Sequence, residues 1–275
     1  MRNRYRGLPF SKEALTWYRR ITGLQLTLGL IAVLFLLWNN NRDKGTYDII
    51  NRLEYNSQID TQAIEWTEDH RLLVSSDLHG RSAVGYLEDS YFDIKYSLNK
   101  NEFAEDFTLT PHGLWLLTWK NERAYLLEPD SFQELAIISY EGEGWGLAYD
   151  AGRDFLYMSD GTSTIQVRDS HNFDLLDTFE VRTTFGQEIT LIKELEYDGS
   201  HLYANIYQSN RVIRIEVERF NKGRVTNEWD FTPLIHDLKK VYPNIQELNG
   251  IAHLQENQFL VTGKKYPYIY KLYLN

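Results

Sequence analysis

Five times along the chain an apolar, strand-like run is followed after a short turn by a second such run that closes in small or polar residues. The second runs are LLVSSD (72–77), LWLLTW (114–119), LYMSDG (156–161), LYANIY (202–207) and FLVTGK (259–264), and their starts lie 42, 42, 46 and 57 residues apart. The runs before them are QAIEW (62–66), DFTLT (106–110), WGLAY (145–149), ELEYD (194–198) and NGIAH (249–253). Third and fourth runs come next, joined by turns such as 128–132 and 169–173, whose Asp, Pro and Ser favour tight reversals. A period in the low forties with four strands per unit is that of a propeller blade. Two packed sheets would also hold short strands but give no reason for a repeated unit. The predicted fold is therefore all-β, a five-bladed β-propeller over 59–275, with helical periodicity only near 233–241.

A propeller converges its innermost strands on a central channel whose mouth collects one loop from each blade. Residues at the start of each first run and the end of each second run then become neighbours across long sequence separations. They are Gln62, Glu105, Trp119, Trp145, Lys193, Tyr207, Asn249 and Lys264. Carboxylate, amine, amide and aromatic groups are all represented.

The chain before the repeats is of another kind. Residues 21–38 carry no charge, and 18 residues make a helix of roughly 27 Å, close to the thickness of a bilayer core. Residues 1–20 hold six Arg/Lys and one Glu, so the positive-inside rule puts this basic segment in the cytoplasm and the chain beyond residue 38 on the far side of the membrane. A cleaved signal peptide is the competing reading, but Trp38-Asn39-Asn40-Asn41 lacks the small residues a signal peptidase needs. The expected layout is a basic segment over 1–20, one transmembrane helix over 21–38, a linker over 39–58 and then the propeller. No Asn-x-Ser/Thr acceptor occurs, which fits a periplasmic setting. The overall charge of -10 leaves -15 beyond residue 20; an acidic domain gains nothing from counterion release, so nucleic acid is not an expected partner. With no cysteine the chain has neither disulfides nor a thiol nucleophile, and its seven histidines show no metal-ligand spacing; no metal is expected.

The segments YEGEGWGLAYD (140–150), LYMSDG (156–161), KELEYDGSHLYANIYQ (193–208), LNGIAH (248–253) and LVTGKKYP (260–267) resemble the glutaminyl cyclases (glutaminyl-peptide cyclotransferases) of the plant and bacterial propeller type. In that family GEGWGL, NELEY, LNGIA and TGK recur in the same order. The resemblance runs over roughly 60–274 and implies a reaction without cofactor: the α-amine of an N-terminal Gln attacks its own side-chain amide, ammonia leaves, and pyroglutamate caps the peptide. That chemistry needs a neutral amine, a stabilised oxyanion and a proton for the leaving NH₂. By resemblance Glu105, in Phe103-Ala104-Glu105-Asp106, is the proton shuttle. Lys264 and Gln62 match further functional positions, and Phe103, Trp119, Trp145, Tyr207 and Asn249 belong to the substrate pocket. The implied partner is a peptide or protein with N-terminal Gln.

Several departures fall at the pocket. Lys193 stands where the family has Asn, Tyr207 where it has a cage Trp, and Ala63 and Asp106 where it has glycines. Two lysines facing Glu105 are expected to lower its pKa and hinder proton donation, unless Lys193 itself stabilises the oxyanion. Two readings result: a membrane-anchored glutaminyl-peptide cyclotransferase, or an inactive propeller serving as a scaffold subunit of a membrane complex. An open pocket floored by Glu105 favours the first; a channel plugged by Asp106 or Tyr207 favours the second.

Overall fold

The computed structural model describes residues 44–54, 59–77, 81–88 and 91–275, together with Gln25, Thr27 and 29–31. Those last residues are helical, but the anchor expected over 21–38 otherwise lies outside the described residues. Among the described residues no helix is long and apolar enough to cross a membrane.

Residues Gly45–Asn275 form one unit built from five four-stranded antiparallel sheets. Blade 1 is β2–β5 (Thr61–Trp66, Leu72–Asp77, Ser82–Glu88, Tyr91–Ser97). Blade 2 is β6–β9 (Ala104–Thr110, Gly113–Thr118, Arg123–Leu127, Glu134–Ser139). Blade 3 is β10–β13 (Gly146–Asp150, Phe155–Ser159, Thr164–Asp169, Leu175–Glu180). Blade 4 is β14–β17 (Ile192–Tyr197, His201–Ile206, Arg211–Glu216, Val225–Asp230). The innermost strand of each blade touches that of the next, and the last, β18 (Leu248–Gln255), returns to β2. The ring is closed, and the chain is the predicted five-bladed propeller.

Closure differs from the expected layout in one respect. Blade 5 contains β18, β19 (Gln258–Gly263) and β20 (Tyr268–Leu274), and its outermost strand is β1, Tyr47–Glu54, paired antiparallel to β20. Residues 47–54 of the segment read as linker over 39–58 are thus a blade strand. Joining the first strand to the last blade removes an open seam, because the ring then cannot part without breaking a ladder. The long fourth spacing also has a cause: helix α1, Thr232–Val241, is inserted between β17 and β18. Pro233 sits in its first turn, where no amide hydrogen is required, and Ile235 and Leu238 pack with Trp229, Phe231 and Tyr270.

The blade-terminal turns keep their equivalence. Glu128 accepts from the backbone of Asp130 and Ser131, and Asp169 from His171 and Asn172, while Phe132 and Phe173 take left-handed φ of 57° and 66° and bury their rings.

Candidate active site

A regular strand sends alternate side chains to opposite faces, yet adjacent polar residues crowd the starts of the innermost strands. The register resolves this. Pairing is interrupted between Thr61 and Ala63, Ala104 and Phe107, Ile192 and Leu195, and Leu248 and Ile251. The residues inside these bulges are Gln62; Glu105 and Asp106; Lys193 and Glu194; Asn249 and Gly250. An extra residue re-aims its side chain and frees backbone groups from the ladder. The freed carbonyls are satisfied from the preceding blade: Ser75 Oγ donates to Glu105 O at 2.6 Å, Ser159 Oγ to Lys193 O at 2.6 Å, Asn205 Nδ2 to Leu248 O at 2.9 Å and Asn249 Nδ2 to Thr61 O at 2.8 Å. At three of these bulges the small and polar endings of the second runs thus hold the bulge in place, and at the fourth Asn249 of a neighbouring bulge does so.

Over the bulges lies a pocket of about 90 Å³ lined by Phe103, Glu105, Trp119, Trp145, Lys193, Tyr207 and Lys264. The rings pair edge to face, Phe103 with Trp119 at 5.8 Å between centroids and Trp145 with Tyr207 at 5.5 Å, a geometry suited to aromatic quadrupoles. Gly161, at φ +82°, lies under Trp145: a Cβ there would come within 2.8 Å of the indole. Gln62 and Asn249 lie beneath the lining. Gln62 Oε1 accepts from Lys193 Nζ at 3.4 Å and from Asn249 Nδ2 at 3.3 Å. The residues expected at the channel mouth are therefore together, seven on the pocket wall counting Phe103 and two supporting it.

Glu105 and Lys193 are buried, with Oε2 and Nζ 3.6 Å apart, beyond hydrogen-bond length. Glu105 Oε2 accepts no hydrogen bond from the described residues. Burial pushes the Glu105 carboxyl above the usual carboxylate range, and Lys193 and then Lys264 pull it down without cancelling that effect. Burial likewise depresses the Lys193 ammonium more than Glu105 restores it. This corrects the expectation that two lysines would lower the Glu105 pKa: loss of hydration outweighs attraction at this depth. Lys264 also has a second partner, since its Nζ lies 3.2 Å from Glu247 Oε1.

Asp106, a departure expected at the pocket, points into the channel instead. Its Oδ1 accepts from Phe107 N at 2.7 Å, and its Oδ2 from Leu147 N at 2.8 Å and Leu195 N at 3.2 Å in blades 3 and 4. Three other carboxylates do the same between blades: Glu65 accepts from Leu109 N, Glu194 from Ile64 N and Glu196 from His253 N. Burial raises all four, Glu65 to about 7. Inner-strand amides that face a channel have no neighbouring strand to bond, and buried N–H groups must find acceptors; these carboxylates provide them.

Two contributors escaped sequence reasoning. Glu143 Oε2 accepts from Trp119 Nε1 at 2.8 Å and Trp145 Nε1 at 2.9 Å, tying the two indoles together, while Lys120 lies 3.5 Å from its other oxygen. Burial alone would raise its pKa, but the indole donors and Lys120 hold it below the usual range. Its signal was present in the GEGWGL motif, two residues before Trp145. Glu247, the partner of Lys264, precedes LNGIAH with no comparable mark.

Chemically, the pocket offers a buried carboxylate with a free oxygen, two amines and an aromatic cage, which suits proton transfer on a small uncharged group. A family model described as glutamine cyclotransferase matches residues 28–274. A glutaminyl-peptide cyclotransferase of Arabidopsis thaliana is 28% identical over 232 residues, 82% of this chain and 71% of that protein. Among solved structures, the glutaminyl cyclase of Myxococcus xanthus matches with a TM-score of 0.74 at 24% identity, covering 85% of this chain and 98% of the other, a likeness of fold.

Proposed function

The chain belongs to the glutamine cyclotransferase family, and from that premise we propose that it converts the N-terminal Gln of a peptide or protein to pyroglutamate with release of ammonia. The observation that carries this reading is Glu105, buried at a pocket of about 90 Å³ with an oxygen that accepts no hydrogen bond from the described residues. The cavity has the scale of one side chain. In the proposed reaction the glutamine side chain enters between Trp119, Trp145, Tyr207 and Phe103, with its α-amine turned toward Glu105. The amine nitrogen bonds to the side-chain carbonyl carbon while Glu105 accepts the proton that this nitrogen gives up. Charge develops on the carbonyl oxygen, where Lys193 and Lys264 stabilise it. Glu105 then returns the proton to the departing NH₂, the C–N bond breaks and ammonia leaves. A carboxyl pKa raised by burial serves both halves, since a shuttle works best with its pKa close to the operating pH. Gln62, held by Asn249, fixes the Lys193 ammonium.

The scaffold reading is not favoured. Asp106 is turned away from the pocket and Tyr207 forms part of its wall, so neither fills the pocket. We further propose that residues 21–38 anchor the protein in a membrane with the propeller on the extracytoplasmic side; the charge-free run and the basic residues before it support this. Alkaline extraction that releases the protein from membranes would reject the anchor.

The activity is tested by ammonia release from Gln-initiated dipeptides with the purified full chain. Turnover is expected, and Glu105→Gln should lower kcat by about 10²–10⁴-fold, the usual contribution of a positioned acid-base group. A well-folded chain inactive on several such peptides would overturn the proposal.

A further inference from the structure

On the face of the propeller opposite the pocket, three turns from two blades bring together side chains that the cyclisation does not use. His112 lies in the turn between β6 and β7 of blade 2, Asp154 between β10 and β11 of blade 3, and His171 between β12 and β13. His112 Nε2 is 3.5 Å from Asp154 Oδ1, His171 Nδ1 is 3.7 Å from Asp154 Oδ2, and the ligand-type atoms of the three all lie within 4.8 Å of one another. A tetrahedral Zn²⁺ with bonds of about 2.0–2.2 Å to nitrogen and oxygen holds its ligands roughly 3.4 Å apart, so the set needs only small side-chain adjustments to close on one ion. The imidazole rings stack at 3.5 Å between centroids, inclined by 33°, so both lie beside the same carboxylate and close on one ion by turning apart.

One further observation points to a ligand. His112 Nε2 is buried and makes no hydrogen bond among the described residues, although it faces Asp154. Polar atoms sealed from water normally have partners. The turns carrying the three residues are also braced. Asp154 has left-handed φ of 58° and accepts from Tyr149 Oη at 2.9 Å and from the Ser170 hydroxyl. Asp169 Oδ1 accepts from His171 N at 2.8 Å, and Trp115 Nε1 of blade 2 donates to Ser170 O of blade 3 at 2.8 Å. Two carboxylates face His171 Nδ1, since Asp169 Oδ1 lies 3.8 Å away. A cation seated among them would replace the weaker contact of Ser170 Oγ with His171 Nδ1 at 3.3 Å.

We propose that His112, His171 and Asp154 form a binding site for one divalent transition-metal ion of zinc type, clamping blades 2 and 3 together on the face away from the pocket. Two imidazoles and a carboxylate suit Zn²⁺ and its neighbours in the first transition row. The expectation of no metal drawn from histidine spacing did not anticipate this group, because its histidines are 59 residues apart in sequence and only blade packing makes them neighbours. An ion held only by the folded state raises the melting temperature by mass action.

The test is calorimetric titration of the chelator-stripped full chain with Zn²⁺. One saturable equivalent is expected, at least about 100-fold weaker in His112→Ala and in His171→Ala, since each removes a direct ligand. Zn²⁺ should raise the melting temperature of the wild type but not of Asp154→Asn, which keeps a residue tolerant of left-handed φ. Cu²⁺ as a spectroscopic probe should show paramagnetic coupling to two imidazole nitrogens. Absence of saturable binding would overturn the proposal. So would binding that survives in the folded His112→Ala/His171→Ala double variant, which would place the ion on carboxylates elsewhere.

Discussion

Glu105 and Asp106 are consecutive, share one bulge and are both buried with raised carboxyl pKa values, yet they belong to different regions. Asp106 joins the channel lining, where both its oxygens accept backbone N–H groups and its position is set by three strands. Glu105 joins the pocket, where Oε2 has no donor among the described residues and the Lys193 ammonium lies 3.6 Å away. Burial raises a carboxyl in either place; what separates structure from chemistry at this pair is spare hydrogen-bonding capacity. Lys193 and Glu194 divide by place in the same way, the first on the pocket and the second bonded to Ile64 N across the channel.

The sharpest way to break this comparison is to exchange the losses. Glu105→Gln removes the proton shuttle, lowering kcat by about 10²–10⁴-fold, and leaves the backbone network intact, so its chemical denaturation midpoint should stay close to that of the wild type. Asp106→Ala leaves the N–H groups of Phe107, Leu147 and Leu195 without their acceptor. At about 1–3 kcal/mol for each unpaired buried group, a loss on the order of 3–5 kcal/mol is expected, with kcat retained in the fraction that stays folded. If Asp106→Ala is stable and inactive, the two roles are wrongly assigned.

A second prediction concerns pH. Glu65 has its pKa raised from 4.5 to about 7 by burial, against the opposing backbone bond from Leu109. A carboxyl raised in the folded state binds its proton more tightly there than when unfolded. Stability therefore falls as pH climbs from about 4.5 to about 7 and levels off at higher pH, a change of about 2–3 kcal/mol from this group. Denaturation of Glu65→Gln across this window should show a fall smaller by that amount. An unchanged pH dependence would mean that Glu65 is ionised in the channel with little penalty.

How far these regions were legible in the sequence depends on the periodicities involved. Strand runs and their spacing survive as patterns of apolar residues, so the blades and eight of the nine candidate positions, Asn249 and Gln62 among them, could be placed together, while Phe103 came from the family resemblance alone. Register does not survive in that form: a shift of one residue sends a side chain to the other face, which is why Asp106 was expected beside Glu105 and is found in the channel. Strand β1 was hidden for a different reason. It completes a blade whose other strands lie some two hundred residues away, and nothing within 47–54 repeats the blade pattern. The sign of the Glu105 shift was illegible as well, because sequence shows which charges are near but not how deeply they are buried.

Lys193 offers a smaller effect that sharpens the contrast within the pocket. Its ammonium lowers the Glu105 pKa against burial, so Lys193→Asn should let the carboxyl rise further. The acidic limb of the kcat/KM profile, which reports the base of the free enzyme, should move to higher pH. A shift to lower pH would exclude Glu105 as the group that the limb reports.

The gentlest perturbation is at Glu143, which lies outside both the channel and the pocket lining but anchors two walls of the latter. Its single oxygen Oε2 accepts both indole N–H groups, so Glu143→Ala leaves Trp119 and Trp145 free to turn while removing nothing that reaches the reacting atoms. At a net value of about 1 kcal/mol for a hydrogen bond, KM should rise roughly fivefold or somewhat more, with kcat falling less. Glu143→Gln retains an oxygen able to accept from the indoles but loses the charge that Lys120 neutralises. Near-complete rescue by Gln would identify the role as positioning through hydrogen bonds. A Gln variant as impaired as Ala would instead mean that the charge of Glu143 itself acts on the substrate, which would move this residue into the pocket's electrostatics alongside Lys193 and Lys264.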